Sequence, residues 1–274
     1  MLDGRIVRAS RLATLSEKIK RFPRIPTLAI IQVGDRADSA AYIRAKKAFA
    51  ERIGARVNHT HFPEGVSETE VVDMIAKLNI DSEIDGIIVQ LPLPAHLDSN
   101  KIINTIDPKK DVDGLTDTNQ TLLSKNDPQA VIPATARGVK ELLEYYKIDL
   151  KGKKVAVVGR SRLVGTPIAH ACAHAGAEVI VCHSKTLDLV HETKKADVVV
   201  VAVGKPDLIG AAHIKPGAVV IDVGINRASD GSLKGDVDFV QVEGVASAVT
   251  PVPGGVGQMT VLALFENLID ACKM

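Results

Sequence analysis

Short apolar runs rich in Val, Ile and Leu recur along this chain and alternate with longer amphipathic stretches. Most of these runs are nearly all apolar, which is typical of strands that are covered on both faces. The order of runs and amphipathic stretches predicts an α/β protein with parallel sheets. The runs that we predict to be strands are Leu28–Val33, Gly86–Leu91, Lys154–Val158, Glu178–Cys182, Val198–Val203, Ala218–Val223 and Val245–Val249.

The predicted elements form two series along the chain. Residues 98–137 contain no strong strand pattern and accumulate polar residues, proline and glycine, whereas Lys151 begins a second strand–helix series. We therefore predict two α/β lobes around a cleft, the second lobe with five short strands. A cleft between two lobes is a common place for a ligand.

The composition excludes several classes of protein. Among 274 residues, 34 Lys and Arg balance 33 Asp and Glu, and the net charge of +1 argues against wholesale binding to nucleic acid or a membrane surface. No apolar run is long enough to span a bilayer, and we expect no secretory signal. Three cysteines at unrelated spacings fit neither a disulfide framework nor a zinc site, which predicts a cytoplasmic setting. The histidine spacing predicts no metal.

A glycine-rich turn follows the predicted strand Lys154–Val158 and precedes a helical stretch. Its sequence places Gly159, Ser161 and Gly165 in the pattern G-x-S-x-x-x-G. Small residues here let the backbone approach a pyrophosphate, and the helix N-terminus offers free N–H groups. A tight turn without a ligand is the alternative, because the motif alone has low specificity. The second lobe is thus a candidate Rossmann-like nucleotide-binding sheet.

The next predicted strand ends without the carboxylate that usually binds the ribose 2′-hydroxyl of NAD. His183, Ser184 and Lys185 stand there instead. Arg160 in the preceding turn offers a planar set of donors suited to a phosphate, so we expect NADP. Lys185 by itself is better explained as a solvated loop residue. Ile225, after a later strand, can pack on a base or nicotinamide, or can be a plain core residue.

Candidate acid–base groups lie in the first lobe. Tyr42 and Lys46 are four residues apart and share one helix face, where a hydroxyl beside a buried amine suits proton transfer. A solvated helix face is the alternative. Gln90 ends an apolar strand before two prolines, which is typical of a site at a strand tip. Asp111 and Asp113 add two carboxylates, whose alternative role is turn formation.

Near the C-terminus, the segment TPVPGGVGQMT combines two prolines with three glycines. Proline stiffens such a loop and glycine permits close backbone approach, so the loop can clamp a flat ring. A hinge between the lobes is the alternative.

Taken together and in order, these segments resemble the bifunctional methylenetetrahydrofolate dehydrogenase/methenyltetrahydrofolate cyclohydrolase family. The matches extend over nearly the whole chain and include SAAYIRAK, GIIVQLPLP, DPKKDVDG, VVGRSRLVGTP, GDVDF and TPVPGGVG. Each match is modest evidence, but their joint order is very specific. The resemblance implies NADP-dependent oxidation of 5,10-methylenetetrahydrofolate, followed by hydrolysis to 10-formyltetrahydrofolate. It places the chain in one-carbon metabolism and purine biosynthesis.

The resemblance also implies residue roles. Lys46 matches the family's catalytic lysine and Tyr42 its partner. Gln90 matches the glutamine that tunes the lysine, and Asp113 matches the residue that holds the pterin. The implied nucleotide contacts are Gly159, Arg160, Ser161, Gly165, Ser184 and Ile225. The implied substrate contacts are Tyr42, Lys46, Val89, Gln90, Leu91, Asp113, Pro253, Gly254, Gly255, Val256 and Gly257.

The family pattern further implies a catalytic domain of residues 1–136 and 257–274, an NADP-binding domain of residues 137–256, and a homodimer formed through the nucleotide lobes. The chain departs from the pattern at a few positions. Gln258 replaces a usual proline, Ala134 and Ala136 replace residues of a P-C-T-P segment, and Ala48 stands where a second lysine is common. None of these departures removes a residue assigned to chemistry.

Two alternative functions remain open at this point. One is a dehydrogenase without cyclohydrolase activity, acting on methylenetetrahydrofolate or a methanopterin analogue, which would accumulate the methenyl product. The other is a non-catalytic nucleotide-binding regulator. The presence of Tyr42, Lys46, Gln90 and Asp113 together argues against the regulator.

Overall fold

The computed structural model describes residues 1–228 and 230–273, which pack as two compact units. We name each unit by its main sheet. The three-stranded unit comprises Ser10–Ala134 and Ala263–Met274, and the five-stranded unit comprises Met1–Ala9 and Thr135–Leu262. The boundaries of these units therefore differ from those of the expected functional domains. The reason is that the helices Gly4–Ile19 and Val256–Ala271 each contribute residues to both units.

The elements follow one another in an alternating α/β order. The helices are α1 Gly4–Ile19, α2 Ala37–Ile53, α3 Glu68–Ile80, α4 Ser99–Asn104, α5 Asp117–Ser124, α6 Ala134–Tyr145, α7 Gly165–His174, α8 Leu189–Lys194, α9 Phe239–Glu243 and α10 Val256–Ala271. The strands are β1 Thr27–Val33, β2 Arg56–Phe62, β3 Gly86–Val89, β4 Lys154–Val158, β5 Glu178–Cys182, β6 Val198–Val201, β7 Val219–Asp222, β8 Asn226–Arg227, β9 Leu233–Lys234 and β10 Ala248–Val249. A 3₁₀ turn spans Ala211–His213.

The sheet of the three-stranded unit has the order β2-β1-β3 and is parallel throughout. The central strand β1 is buried at every position, as its continuous apolar sequence predicts. The predicted strand Gly86–Leu91 is confirmed but ends at Val89. Beyond that point the Gln90 backbone N–H still donates to the Ile31 carbonyl at 2.8 Å. This last hydrogen bond fixes where the Gln90 side chain leaves the sheet.

Strand β2 was not predicted from the sequence. It reads RVNHTHF, and none of its positions is fully buried. It pairs only with β1 and forms an edge of the sheet, so it needs no continuous apolar run.

The sheet of the five-stranded unit has the order β10-β7-β6-β4-β5, and every pairing in it is parallel. All five strands predicted for the second lobe are present, although three are shorter than predicted. Strand β7 spans Val219–Asp222 and so lacks one predicted residue at each end. Strand β6 ends at Val201, because the Val203 N–H donates to the Asp236 carboxylate at 2.7 Å. Strand β10 begins at Ala248, because the Val245 N–H donates to the Val242 carbonyl at the end of α9. Parallel pairing brings the carboxyl ends of all five strands to one edge, where open α/β sheets bind ligands.

Each unit has an apolar core built mainly from Val, Ile, Leu and Ala, as the low aromatic content requires. Aromatic packing is added in the three-stranded unit, where Phe265 of α10 meets Phe49 of α2 with ring centroids 5.4 Å apart. Within the described chain, none of the helices has both the length and the apolar character that a membrane span needs.

Candidate active site

A lysine on α2 reaches a glutamine at the end of β3. The Lys46 Nζ donates to the Gln90 Oε1 at 2.9 Å, although the two residues are far apart in the sequence. Lys46 is half-buried. Its side chain is therefore held by a neutral acceptor and is only partly solvated.

The orientation of the Gln90 amide is fixed by its other contact. Its Nε2 donates to the Leu91 carbonyl at 2.9 Å, which leaves its oxygen facing Lys46. A flipped amide would point N–H donors at an ammonium group, so the hydrogen-bond network selects one orientation. Because the acceptor is neutral, it binds the ammonium group without adding a full negative charge.

Burial changes the pKa of both Lys46 and Asp113. Desolvation lowers the pKa of the Lys46 ammonium, and the negative charge of Asp113 partly opposes this shift. Desolvation raises the pKa of the Asp113 carboxyl, and the charge of Lys46 partly opposes that shift. Both groups are thus moved toward their neutral forms. A lysine whose pKa is lowered loses its proton more readily, so it can act as a base and, after protonation, as an acid.

The loop that carries Asp113 is anchored by its neighbour Asp111. The Asp111 carboxylate is buried and accepts hydrogen bonds from the backbone N–H groups of Leu115 and Thr116, the Thr116 hydroxyl and the Asn119 amide. Gly114 adopts a positive φ of 70°. The two acidic residues of DVDG therefore differ, since Asp111 forms the turn and Asp113 interacts electrostatically with Lys46.

A second anchor comes from the C-terminal part of α10. The Asn267 Nδ2 donates to the Val112 carbonyl at 2.8 Å and to the Ile132 carbonyl at 3.0 Å. Sequence analysis did not find this residue, because nothing in its local sequence marks a contact with a loop about 150 positions earlier. Tertiary structure alone identifies it.

Tyr42 lies on α2 one turn before Lys46, with 36% of its surface exposed. Partial burial raises the pKa of the Tyr42 phenol, and the charge of Asp38 raises it further. The phenol is therefore a neutral hydroxyl near pH 7, able to donate or accept a hydrogen bond. Of the other predicted substrate contacts in this unit, Val89 is buried in the sheet core and Leu91 is half-buried.

In the five-stranded unit, the glycine-rich turn joins β4 to α7. Gly159 has φ of 126°, and a Cβ there would collide with the Ala202 carbonyl. A Cβ at Gly165 would collide with the Gly159 carbonyl. Ser161 Oγ accepts from the N–H groups of Val164 and Gly165, both at 3.2 Å. The motif glycines therefore leave the room that a pyrophosphate needs. Ser161 itself occupies N–H groups at the start of α7.

The predicted nucleotide contacts that carry side chains are accessible. Arg160 and Ser184 are exposed, and 41% of the Ile225 surface is exposed at the end of β7. Ile225 is thus not a plain core residue. His183 organises its own turn, since its Nδ1 accepts from the Lys185 N–H at 3.1 Å. Arg160 and Ser184 follow the neighbouring strands β4 and β5, so they lie at the same sheet edge.

The loop Pro253–Gly257 is held by the N-terminal residues of the chain. The Gly4 N–H donates to the Gly254 carbonyl at 2.9 Å, and a Cβ at Gly4 would collide with the Gly255 carbonyl. The Leu2 N–H donates to the Val249 carbonyl just before the loop. The sequence analysis did not predict this contact, and no local pattern indicates it.

Among the described residues, no group of three or more His, Cys, Asp or Glu side chains is arranged to hold a metal ion. The Lys46 amine is bonded to the Gln90 amide and interacts electrostatically with the Asp113 carboxyl, and the Tyr42 phenol lies one helical turn away on α2. These groups can move protons and orient a polar ring.

Comparisons with known proteins cover both units. A family model described as "Tetrahydrofolate dehydrogenase/cyclohydrolase, catalytic domain" matches residues 2–113, and one for the NAD(P)-binding domain of the same name matches residues 133–274. The bifunctional protein FolD of Lacticaseibacillus casei (strain BL23) is 46% identical over 275 residues, which cover 99% of this chain and 97% of that protein.

Two solved structures are also similar. The bifunctional FolD methylenetetrahydrofolate dehydrogenase/cyclohydrolase of Campylobacter jejuni has a TM-score of 0.97 and 40% identity, covering 99% of this chain and 98% of that one. The Trypanosoma brucei methylenetetrahydrofolate dehydrogenase-cyclohydrolase (FolD), complexed with NADP cofactor and inhibitor, has a TM-score of 0.94 and 36% identity. The match covers 99% of this chain and 96% of that one.

The different roles of the two DVDG carboxylates can be tested by their effect on stability. We expect Asp111→Ala to lower the free energy of unfolding by about 3 kcal/mol, because it leaves several buried donors without an acceptor. We expect Asp113→Ala to change it by less than about 1 kcal/mol, because burial already disfavours its charge. Urea unfolding of both variants checks this, and equal losses would contradict the assignment.

Proposed function

Because the chain belongs to the tetrahydrofolate dehydrogenase/cyclohydrolase family, we propose that it performs both reactions that this name describes. It oxidises 5,10-methylenetetrahydrofolate to 5,10-methenyltetrahydrofolate with NADP, and it then hydrolyses the methenyl product to 10-formyltetrahydrofolate. The observation that carries the proposal is the half-buried Lys46 amine, bonded to Gln90 and with its pKa lowered by burial.

The two alternatives account less well for this arrangement. A regulator that only binds a nucleotide has no use for an amine of lowered pKa. A dehydrogenase without the second activity also needs no such base, because loss of hydride requires no proton removal. The relatives described above are named as bifunctional, which favours the full reaction sequence.

The nucleotide contacts of the five-stranded unit fit NADP. Gly159 and Gly165 have no room for a Cβ, and the turn between them leads into the N-terminus of α7. Arg160 and Ser184 are exposed at the same sheet edge, and no carboxylate stands at the tip of β5 to repel a 2′-phosphate. Bound NADP supplies the acceptor for the hydride. The protein's own part in that step is orientation, because both folate nitrogens stabilise the cation that forms.

Substrate orientation is assigned to Asp113 and to the loop Pro253–Gly257. A carboxyl with a raised pKa can donate or accept a hydrogen bond, which suits the mixed donors and acceptors of a pterin edge. Val89 and Leu91 flank Gln90 at the end of β3. We assign them as further substrate contacts, through their backbone and side-chain surface.

In the hydrolytic step, water attacks the methenyl carbon and Lys46 acts as the base. The neutral amine takes a proton from the attacking water, and the resulting ammonium gives that proton to the ring nitrogen as its bond to the carbon breaks. The remaining hydroxyl proton is lost to solvent and leaves the formyl group. Gln90 holds the amine in position, and Tyr42 supplies a neutral hydroxyl one helical turn away.

The wider setting follows from the same family. We assign residues 1–136 and 257–274 to folate chemistry and residues 137–256 to NADP binding. We propose that the activity serves the one-carbon supply of purine biosynthesis, in the cytoplasm. Fractionation of the source cells tests this location, and recovery in a membrane or secreted fraction would contradict it.

A spectrophotometric assay with methylenetetrahydrofolate tests the function and the nucleotide preference together. We expect kcat/KM with NADP to exceed that with NAD by at least about tenfold, the effect of one charge-assisted hydrogen bond. Arg160→Ser should reduce this preference. Lys153→Ala is the matched control, because it removes an equal charge where the chain enters β4, at the opposite edge of the sheet. Comparable efficiency with both nucleotides would contradict the 2′-phosphate assignment.

The role of Lys46 is tested by Lys46→Met. We expect cyclohydrolase kcat to fall by about a hundredfold or more, because the acid–base group is lost, while some hydride transfer remains. Lys47→Met is the control: this exposed neighbour contacts His59 rather than Gln90, and its loss should leave both activities in place. Full cyclohydrolase activity in Lys46→Met would refute the assignment.

A homodimer through the five-stranded unit is also part of the proposal. Strand β5 is an edge strand, and Ile180 and Val181 on it are 39% and 37% exposed. An apolar sheet edge favours pairing with another chain. Light scattering should give twice the chain mass of 29.1 kDa, and Ile180→Lys should shift the protein toward the monomer. A monomeric parent protein would contradict this interface.

A further inference from the structure

Two aspartates are buried next to each other at the carboxyl edge of the five-stranded sheet. Asp222 ends β7 and is 3% exposed, and Asp236 is fully buried. Burial raises the pKa of Asp222 to about 6, and the charge of Asp236 contributes to that shift. Two adjacent buried carboxylates cost folding free energy, so bulk stability does not explain their presence.

Asp236 joins two loops that follow different strands. Its Oδ2 accepts from the Val203 N–H at 2.7 Å and from the Gly204 N–H at 2.9 Å, both after β6. Its Oδ1 accepts from the Asn226 Nδ2 at 2.8 Å, after β7. One carboxylate therefore fixes the separation of the loops that end these neighbouring strands.

Asp222 holds Asp236 in place from the end of β7. Its Oδ1 accepts from the Gly224 N–H at 2.9 Å and from the Asp236 N–H at 3.0 Å, and its Oδ2 accepts from the Val237 N–H at 3.0 Å. A Cβ on Gly224 would collide with the Asp236 carboxyl, so the loop lies directly against it. The pair leaves little freedom to the segment that carries Ile225.

The loops after β6 and β7 lie where the nicotinamide half of a bound dinucleotide is expected. The glycine-rich turn that receives the pyrophosphate follows β4, and β5 with Ser184 lies on one side of it. Strands β6 and β7 lie on the other side. If the 2′-phosphate half of a dinucleotide extends over β5, its nicotinamide half extends over β6 and β7. The Asp236-bound loops are thus the surface against which the reactive ring rests.

We propose that Asp236 is a positioning residue for hydride transfer, which sets the spacing of the Val203–Gly204 and Gly224–Asn226 loops and so places Ile225 against the nicotinamide ring. Asp222 supports it. The inference rests on the proposed function, because it concerns the dehydrogenase half of that reaction. It assigns Asp236 no contact with substrate or coenzyme.

The test variant is Asp236→Asn, which keeps the shape of the side chain. An amide has only one acceptor oxygen, whereas the carboxylate has two. If that oxygen accepts from the Val203 and Gly204 N–H groups, the NH₂ group of the new side chain faces the Asn226 Nδ2, and the bond from Asn226 is lost. We expect KM for NADP to rise about tenfold, equivalent to about 1.4 kcal/mol, together with a fall in dehydrogenase kcat. Cyclohydrolase kcat, which involves no hydride, should stay at the parent value.

Asp238→Asn is the matched control. It removes the same charge two residues along, where the side chain caps α9 by accepting from the Gln241 N–H, and asparagine caps helices as well as aspartate. Both activities should be unaffected. Unchanged NADP kinetics in Asp236→Asn, or equal loss of both activities in it, would overturn the proposal.

If Asp236→Asn fails to fold, Asn226→Ala provides the second measurement, since it removes the β7-side bond and leaves the Val203 and Gly204 bonds intact. It should raise KM for NADP and spare the cyclohydrolase, and parent-like NADP kinetics would again overturn the proposal. The dehydrogenase activity of the parent enzyme distinguishes failure of the proposed function from failure of the positioning role of Asp236. Absence of dehydrogenase activity in the parent defeats the proposed function, whereas an active parent with insensitive variants defeats only the positioning role.

Discussion

The hydrogen bond between the Lys46 ammonium and the Gln90 amide oxygen is the interaction on which the proposed chemistry depends. Burial of a lysine favours its neutral form, and a carboxylate partner at the same place would reverse that effect. A neutral amide holds the nitrogen without restoring the charge. Asp113 tempers the shift through its own charge, and its own pKa is raised by the same burial. Burial therefore moves both groups toward their neutral forms.

Both units fix their functional loops with buried carboxylates that accept N–H groups. In the three-stranded unit Asp111 organises the turn that presents Asp113. In the five-stranded unit Asp236 joins the loops after β6 and β7. A carboxylate has two oxygens that each accept more than one hydrogen bond, so a single side chain can define the geometry of several loop residues. In both cases the buried carboxylate accepts backbone N–H groups of the loop.

The departures from the family pattern are local. Ala134 and Ala136 are almost fully buried at the start of α6, where small side chains fit. The Gln258 N–H donates to the Gly255 carbonyl at 3.1 Å, a bond that proline cannot make. This bond ties the first turn of α10 to the glycine-rich loop. The chain thus stabilises that loop by a hydrogen bond where proline would act through a restricted backbone.

The sequence by itself determined the α/β class, the five strands of the second sheet and the identity of the motif residues, because continuous apolar runs and glycine-rich turns are local signals. It missed the edge strand β2, whose partial exposure permits a polar sequence. It also could not assign different roles to Asp111 and Asp113. Nor could it identify Asn267 or the contact of Gly4 with the Gly254–Gly255 backbone. Those roles depend on which donors from distant parts of the chain meet each acceptor, and only tertiary packing decides that. The lowered pKa of Lys46 has the same origin, since desolvation is a property of the folded surroundings and not of the residue.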